Sequence, residues 1–108
     1  MFIVEFTDAA INDLNELDDK RTIETIKKII FKELSNFPTT KGKCLGKSKN
    51  SNNIYYEKRF MFGSGYRVYY NIINQIVVVD KIEYEGISNV DRVSTKKNQR
   101  EVLRDLGL

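Results

Sequence analysis

The sequence predicts an α+β domain: one strand, two antiparallel helices, then a three-stranded antiparallel meander, with a C-terminal helix as a further candidate. Three observations carry this expectation. Apolar residues alternate at period two over residues 2–6, step by three and four through residues 10–37, and alternate again from Ile54 onward. The 108 residues make up one domain. One proline and six glycines exclude a linker or a low-complexity chain.

Phe2, Val4 and Phe6 share one face of the opening strand. Thr7 and Asp8 both suit the start of a short helix that carries Ala10, Ile11, Leu14 and Leu17 on one side. Asp18-Asp19-Lys20-Arg21 breaks it, and either aspartate can cap the next helix, expected over about residues 22–36. There Ile23, Ile26, Ile30, Leu34 and Phe37 form a helical stripe, and Pro38 ends it. Residues 39–53 contain four lysines and no periodicity and are expected to be a loop, with Cys44 buried beside Leu45. Residues 54–62, 66–73 and 76–82 read as strands, joined by Gly63-Ser64-Gly65 and Asn74-Gln75. The Gly-Ser-Gly turn joins two strands rather than opening a helix, so it is a hairpin and not a phosphate loop. Residues 83–93 read as irregular. Ser94 suits the cap of a last helix, for which Val102, Leu103 and Leu106 are the apolar anchors. Residues 1–85 form the core unit and 86–108 its C-terminal extension.

The absence of histidine excludes His-based dyads and triads, and a single cysteine leaves no zinc ligand set. No metal and no cofactor is expected. One cysteine forms no disulfide within the chain, which fits the cytoplasm. The apolar runs are too short to span a membrane, and the N-terminus lacks the pattern of a signal peptide. Net charge is +3, split as −3 over residues 1–40 and +6 over residues 41–108. A basic second half is the footprint of a nucleic-acid or acidic partner.

Pairing Phe62 with Tyr66 across a three-residue turn sets Arg59 against Tyr69, Met61 against Arg67 and Glu57 against Asn71. Tyr55, Glu57, Arg59, Met61, Arg67, Tyr69 and Asn71 then share an open face, and Tyr56, Phe60, Phe62, Tyr66, Val68, Tyr70 and Ile72 share the helix-covered one. Arg59 and Arg67 with interleaved tyrosines suit RNA: guanidiniums neutralise phosphates and rings stack on unpaired bases. Lys41, Lys43, Lys47 and Lys49 are candidate phosphate contacts. An exposed Arg67 also predicts that Arg67→Ala leaves the melting midpoint nearly unchanged.

FTDAAINDL (6–14), the helix ended by Pro38, KCLGKS (43–48), IYYEKRF (54–60), GYRVYY (65–70) and IVVVDKI (76–82) follow one another in this order. This set resembles the RelE/ParE superfamily of bacterial type II toxin–antitoxin toxins over residues 2–85, and GSGYRVYY is similar to its HigB-like branch. The resemblance implies a RelE-like fold of two helices over an antiparallel sheet, and silencing by a cognate antitoxin. It also implies one of two activities: cleavage of messenger RNA on the ribosome, as in RelE-type toxins, or poisoning of DNA gyrase, as in ParE-type toxins. A third alternative is a catalytically degenerate relative that only binds antitoxin.

By the same resemblance Arg67 falls on the RNA-contacting sheet arginine, Arg59 on the arginine ending the preceding strand's motif, and the lysine loop on basic substrate contacts. Lys81-Ile82-Glu83-Tyr84-Glu85 falls on a closing motif in which Tyr84 takes the aromatic position and Glu85 replaces an arginine. A metal-free endoribonuclease of this type needs a base, for which Glu57 and Glu85 are candidates. Arg59 and Arg67 supply charge stabilisation, and Tyr84 or a lysine the leaving-group acid. Tyr69 and Lys81 complete the candidate RNA contacts.

Overall fold

The computed structural model describes residues 1–17, 19–61, 65–84 and 92–108, with the side chains of the last segment described from Gln99 onward. The elements are β1 (Ile3–Phe6), α1 (Asp8–Asn15), α2 (Lys20–Asn36), β2 (Lys43–Lys47), β3 (Ile54–Phe60), β4 (Tyr66–Ile73), β5 (Ile76–Tyr84) and α3 (Arg92–Asp105).

Both N-terminal helices start where side-chain oxygens meet orphan amides. Thr7 Oγ1 accepts from Ala10 N–H at 3.1 Å and donates to Asp80 O at 3.2 Å, so one hydroxyl caps α1 and ties it to β5. Asp19 accepts from Arg21 N–H and from the Thr22 hydroxyl, capping α2. The inward stripe of Leu14, Ile26, Ile30 and Leu34 packs on Tyr66, Val68 and Tyr70 of β4 and Val77, Val79 and Ile82 of β5.

The sheet corrects the expected fold. It has five strands in the order β1-β5-β4-β3-β2, and it is mixed, because β1 runs parallel to β5. The expected meander forms only its middle. The fifth strand, β2, comes from residues expected to be a loop and pairs antiparallel with β3, with a bulge between Cys44 and Gly46. The unfilled edge of β3 makes it a strand, since its own sequence has no alternation. Cys44, expected to be buried, is exposed on this edge.

The β3–β4 register differs by two residues from the expected one. Phe60 pairs with Tyr66, Arg59 with Arg67, Glu57 with Tyr69 and Tyr55 with Asn71. The Phe62–Tyr66 pairing and most of the Gly63–Gly65 turn fall outside the described residues, as does Glu85. A two-residue slip keeps every side chain on its face and changes only its partners.

Helix placement differs as well. α3 starts at Arg92, ahead of Ser94, and lines clefts with Asp80–Tyr84 of β5, with Ala9 and Asp13 of α1 and with Glu16, which caps the end of α1. Its C-terminal turn is fastened to the β2–β3 turn. Ser48 Oγ donates to Leu106 O at 2.5 Å, Asn50 Nδ2 to Asp105 O at 3.1 Å, and Lys49 N–H to Gly107 O at 2.9 Å. These donors satisfy carbonyls that a helix end leaves without partners. Gly107 has φ +81°, and a Cβ there would stand 2.6 Å from Ser48 Oγ, so only glycine closes this clasp without strain.

Candidate functional site

The strand face turned away from the α1/α2 core carries two rungs of charged and aromatic side chains. One rung runs Lys43–Glu57–Tyr69–Lys81 across β2, β3, β4 and β5; the next runs Arg59–Arg67–Glu83. Arg67 is the centre. Its Nε lies 2.9 Å from Glu57 Oε1 and its Nη1 3.2 Å from Glu83 Oε1. Tyr69 OH donates to the same Glu83 oxygen at 3.4 Å. The Arg67 side chain is only 14% exposed, so the expectation of a solvent-open guanidinium is corrected. Tyr69, expected to stack on a base, is fully buried. Its phenol pKa is raised by burial first and by Glu83 and Glu57 next, so it stays a proton donor.

The expected open face is therefore covered at its centre, whereas Arg59 and Met61 toward one end stay exposed. Tyr55 and Asn71, next along it, are also buried: Tyr55 OH donates to Asp80 Oδ2 at 2.6 Å and Asn71 Nδ2 to the same oxygen at 2.8 Å. Asp80 lines a cleft of about 300 Å³ with Val102, Asp105 and Leu106, which puts α3 beside this cluster.

Arg59 is exposed on β3. Lys43 and Lys47 are exposed on β2 and Lys49 is exposed in the following turn. Lys41 sits apart from them, 4.0 Å from Glu33 and over the Phe37 ring. Lys81 and Tyr84 turn toward α1. Lys81 Nζ donates to Asp13 Oδ1 at 2.8 Å, and Tyr84 OH to Asp13 O at 3.5 Å. Burial, with Asp13 and Glu16 nearby, pushes the Tyr84 phenol up to about 12.

Of the ten candidates among the described residues, the fold gathers Glu57, Arg59, Arg67 and Tyr69 in one cluster. Lys43 flanks it, Lys81 and Tyr84 are held by Asp13, and Lys41, Lys47 and Lys49 stand elsewhere. Sequence reasoning missed Glu83 as the second carboxylate on Arg67; its place opposite Arg67 follows only from the β4–β5 register. It also missed Asp13, whose second oxygen accepts from the buried Ile82 N–H at 2.9 Å. No group of side chains among the described residues is arranged to hold a metal ion. No described helix is long and apolar enough to cross a membrane. The sequence matches no family model and no curated protein.

Proposed function

We propose that the chain is the toxin of a bacterial type II toxin–antitoxin pair, acting in the cytoplasm on messenger RNA at the ribosome and held in check by a cognate antitoxin. The observation that supports an RNA ligand is the exposure of Lys43, Lys47, Lys49 and Arg59 along β2, its turn and the adjoining strand. Together with the ordered sequence motifs, it favours a polyanionic ligand. In the cleaving form of this reading, a carboxylate such as Glu57 takes the proton of a 2′-hydroxyl, whose oxygen attacks the adjacent phosphate. The 5′-oxygen leaves with a proton from a lysine such as Lys43, which pairs with Glu57 across the β2–β3 ladder, whereas Tyr84, the other candidate acid, is turned toward Asp13 and away from Glu57. Arg59 and Arg67 offset the charge on the phosphoryl oxygens.

The closure of Arg67 between Glu57 and Glu83 favours a second reading. A guanidinium ion-paired with two carboxylates must exchange part of that pairing to bind phosphate. A toxin that grips a protein such as DNA gyrase, or a relative that binds antitoxin without cutting RNA, needs no such exchange.

Induced expression separates these readings. Arrest of translation with discrete primer-extension stops on translated messages is the expected result. Accumulation of gyrase-dependent DNA breaks without message cleavage replaces it with the gyrase reading. Normal growth, with no complex formed with a product of an adjoining reading frame, sinks the toxin proposal.

A further inference from the structure

The outer side of α3 carries a second cationic feature that the sheet-face cluster does not use. Arg100, Leu103, Arg104 and Gly107 follow one another at helical steps of three, one and three, so they form a single stripe. The stripe faces Lys49 and Asn50 of the β2–β3 turn across a cleft of about 460 Å³, whose apolar floor includes Leu103 and Leu108. That volume lies in the range of about 300–1,000 Å³ typical of ligand sites.

Charge on the last turns of α3 is sorted. Glu101 and Asp105 line the clefts shared with Lys81 and α1, whereas Arg100 and Arg104 line this one. Lys49, Arg100 and Arg104 are exposed and make no ion pair with any carboxylate among the described residues. The clasp adds two properties. It fixes the turn against the helix, so the backbone positions that carry the cations are set before a ligand arrives. It also occupies the carbonyls of Asp105, Leu106 and Gly107, whose partial negative charge would oppose an anion.

We infer that this cleft, between the Ser48–Asn50 turn and the outer stripe of α3, is a binding site for the phosphodiester backbone of an unpaired RNA strand. Arg100 and Arg104 present forked donors that match phosphate oxygens, and Lys49 adds a third positive charge opposite them. Leu103 and Leu108 offer apolar surface to a ribose or base. The cations continue from the cleft to Lys47 at the end of β2, whereas the bulge puts Lys43, paired with Glu57, on the other face. A run of one sign suits a polymer with a regularly repeated charge better than an isolated carboxylate. The inference deepens the proposed function and rests on the chain engaging RNA.

The test is fluorescence anisotropy of a short, labelled, unpaired RNA with the full chain over a series of salt concentrations. The variants are Arg100→Ala/Arg104→Ala, Arg100→Lys/Arg104→Lys, Lys49→Ala, Arg59→Ala, and Lys20→Ala/Lys28→Ala as a charge-matched control from exposed positions of α2. A melting curve for each confirms folding. The expected result is a loss on the order of tenfold for the double alanine variant, with Lys49→Ala weaker in the same direction. The salt slope should fall by about 0.7 for each phosphate contact removed. The double lysine variant should keep the slope and lose part of the affinity, and the α2 control should bind as the unaltered chain does. Undiminished binding by the double alanine variant, with loss in Arg59→Ala, overturns the site while leaving RNA engagement intact. If the unaltered chain ignores RNA but binds a glutamate-rich peptide in an Arg100- and Arg104-dependent way, the cleft is a peptide site. The RNA inference then falls, as it does if the chain binds neither, and the primer-extension result on translated messages decides the RNA reading separately.

Discussion

Arg59 and Arg67 stand directly opposite each other on β3 and β4, two cations on one rung of the ladder. Like charges so placed repel. Glu57 and Glu83 offset the repulsion by closing on Arg67 from two sides, at 2.9 and 3.2 Å. The pair that first suggests a phosphate clamp is thus a structural unit, and a phosphate bound there would compete with Glu57 and Glu83 for the same guanidinium.

Arg67→Ala should lower stability rather than leave it untouched. It strands two largely buried carboxylates, at a cost of roughly 3 kcal/mol, or a fall of about 10–20 °C in melting midpoint. Arg67→Lys should fall between, because an ammonium lacks the fork that reaches both partners. Adding Glu83→Gln to Arg67→Ala should recover part of the loss. Thermal denaturation followed by circular dichroism measures all three, and an unchanged midpoint for Arg67→Ala would show the guanidinium to be free for ligand.

Asp13 joins α1 to β5 through Lys81 Nζ and the buried Ile82 N–H. Asp13→Ala leaves that amide without an acceptor and should cost about 2 kcal/mol. Asp13→Asn keeps a carbonyl oxygen for Ile82 and should cost less. Urea denaturation of the two variants decides; equal losses would assign the effect to the Lys81 pair alone.

Tyr70 OH donates to Pro38 O at 2.6 Å and occupies the space where a Cβ on Gly42 would stand. Gly42→Ala should therefore destabilise by roughly 1–3 kcal/mol. Tyr70→Phe removes the obstructing oxygen, so Gly42→Ala combined with Tyr70→Phe should cost less than the two single changes added together. Strict additivity in a double-mutant cycle would refute the steric account.

Burial raises the phenol pKa of Tyr66, Tyr69 and Tyr70 above its ordinary value near 10. The unfolded chain then loses these protons at lower pH than the folded one. Stability is unaffected below pH ~10 and falls as pH rises beyond it, by about 1.4 kcal/mol per pH unit for each buried tyrosine. Tyr84 joins the same trend up to about 12. Tyrosinate absorbance should appear in step with loss of circular dichroism. Gradual titration near pH 10 with the fold intact would contradict the burial.

The sequence was most legible where polarity alternates. Period-two alternation put Arg59 and Arg67 on the face away from Ile26 and Ile30, and the stripe of α2 named its core. Alternation fixes faces but not partners, so a two-residue slip of β3 against β4 passed unseen, and with it the direct meeting of Arg59 and Arg67. Strand β2 was illegible because its pairing depends on β3's vacant edge rather than on its own residues. Tyr69 read as a solvent-facing ring because nothing in its own strand reveals what covers that face. Glu83 and the Ser48–Asn50 clasp needed long-range register and helix placement, neither of which local patterns encode.

Edge strand β2 combines a bulge, a glycine at φ +103° and two exposed lysines. A strand so interrupted offers no continuous row of amides and carbonyls, and its like charges keep a second copy away. Concentrated solutions should thus resist sheet-to-sheet aggregation along this border despite its unpaired backbone. The same device limits how evolution can recruit the border: a partner arriving there must be recognised through its side chains, leaving main-chain strand addition to the short β1 edge at the other end of the sheet.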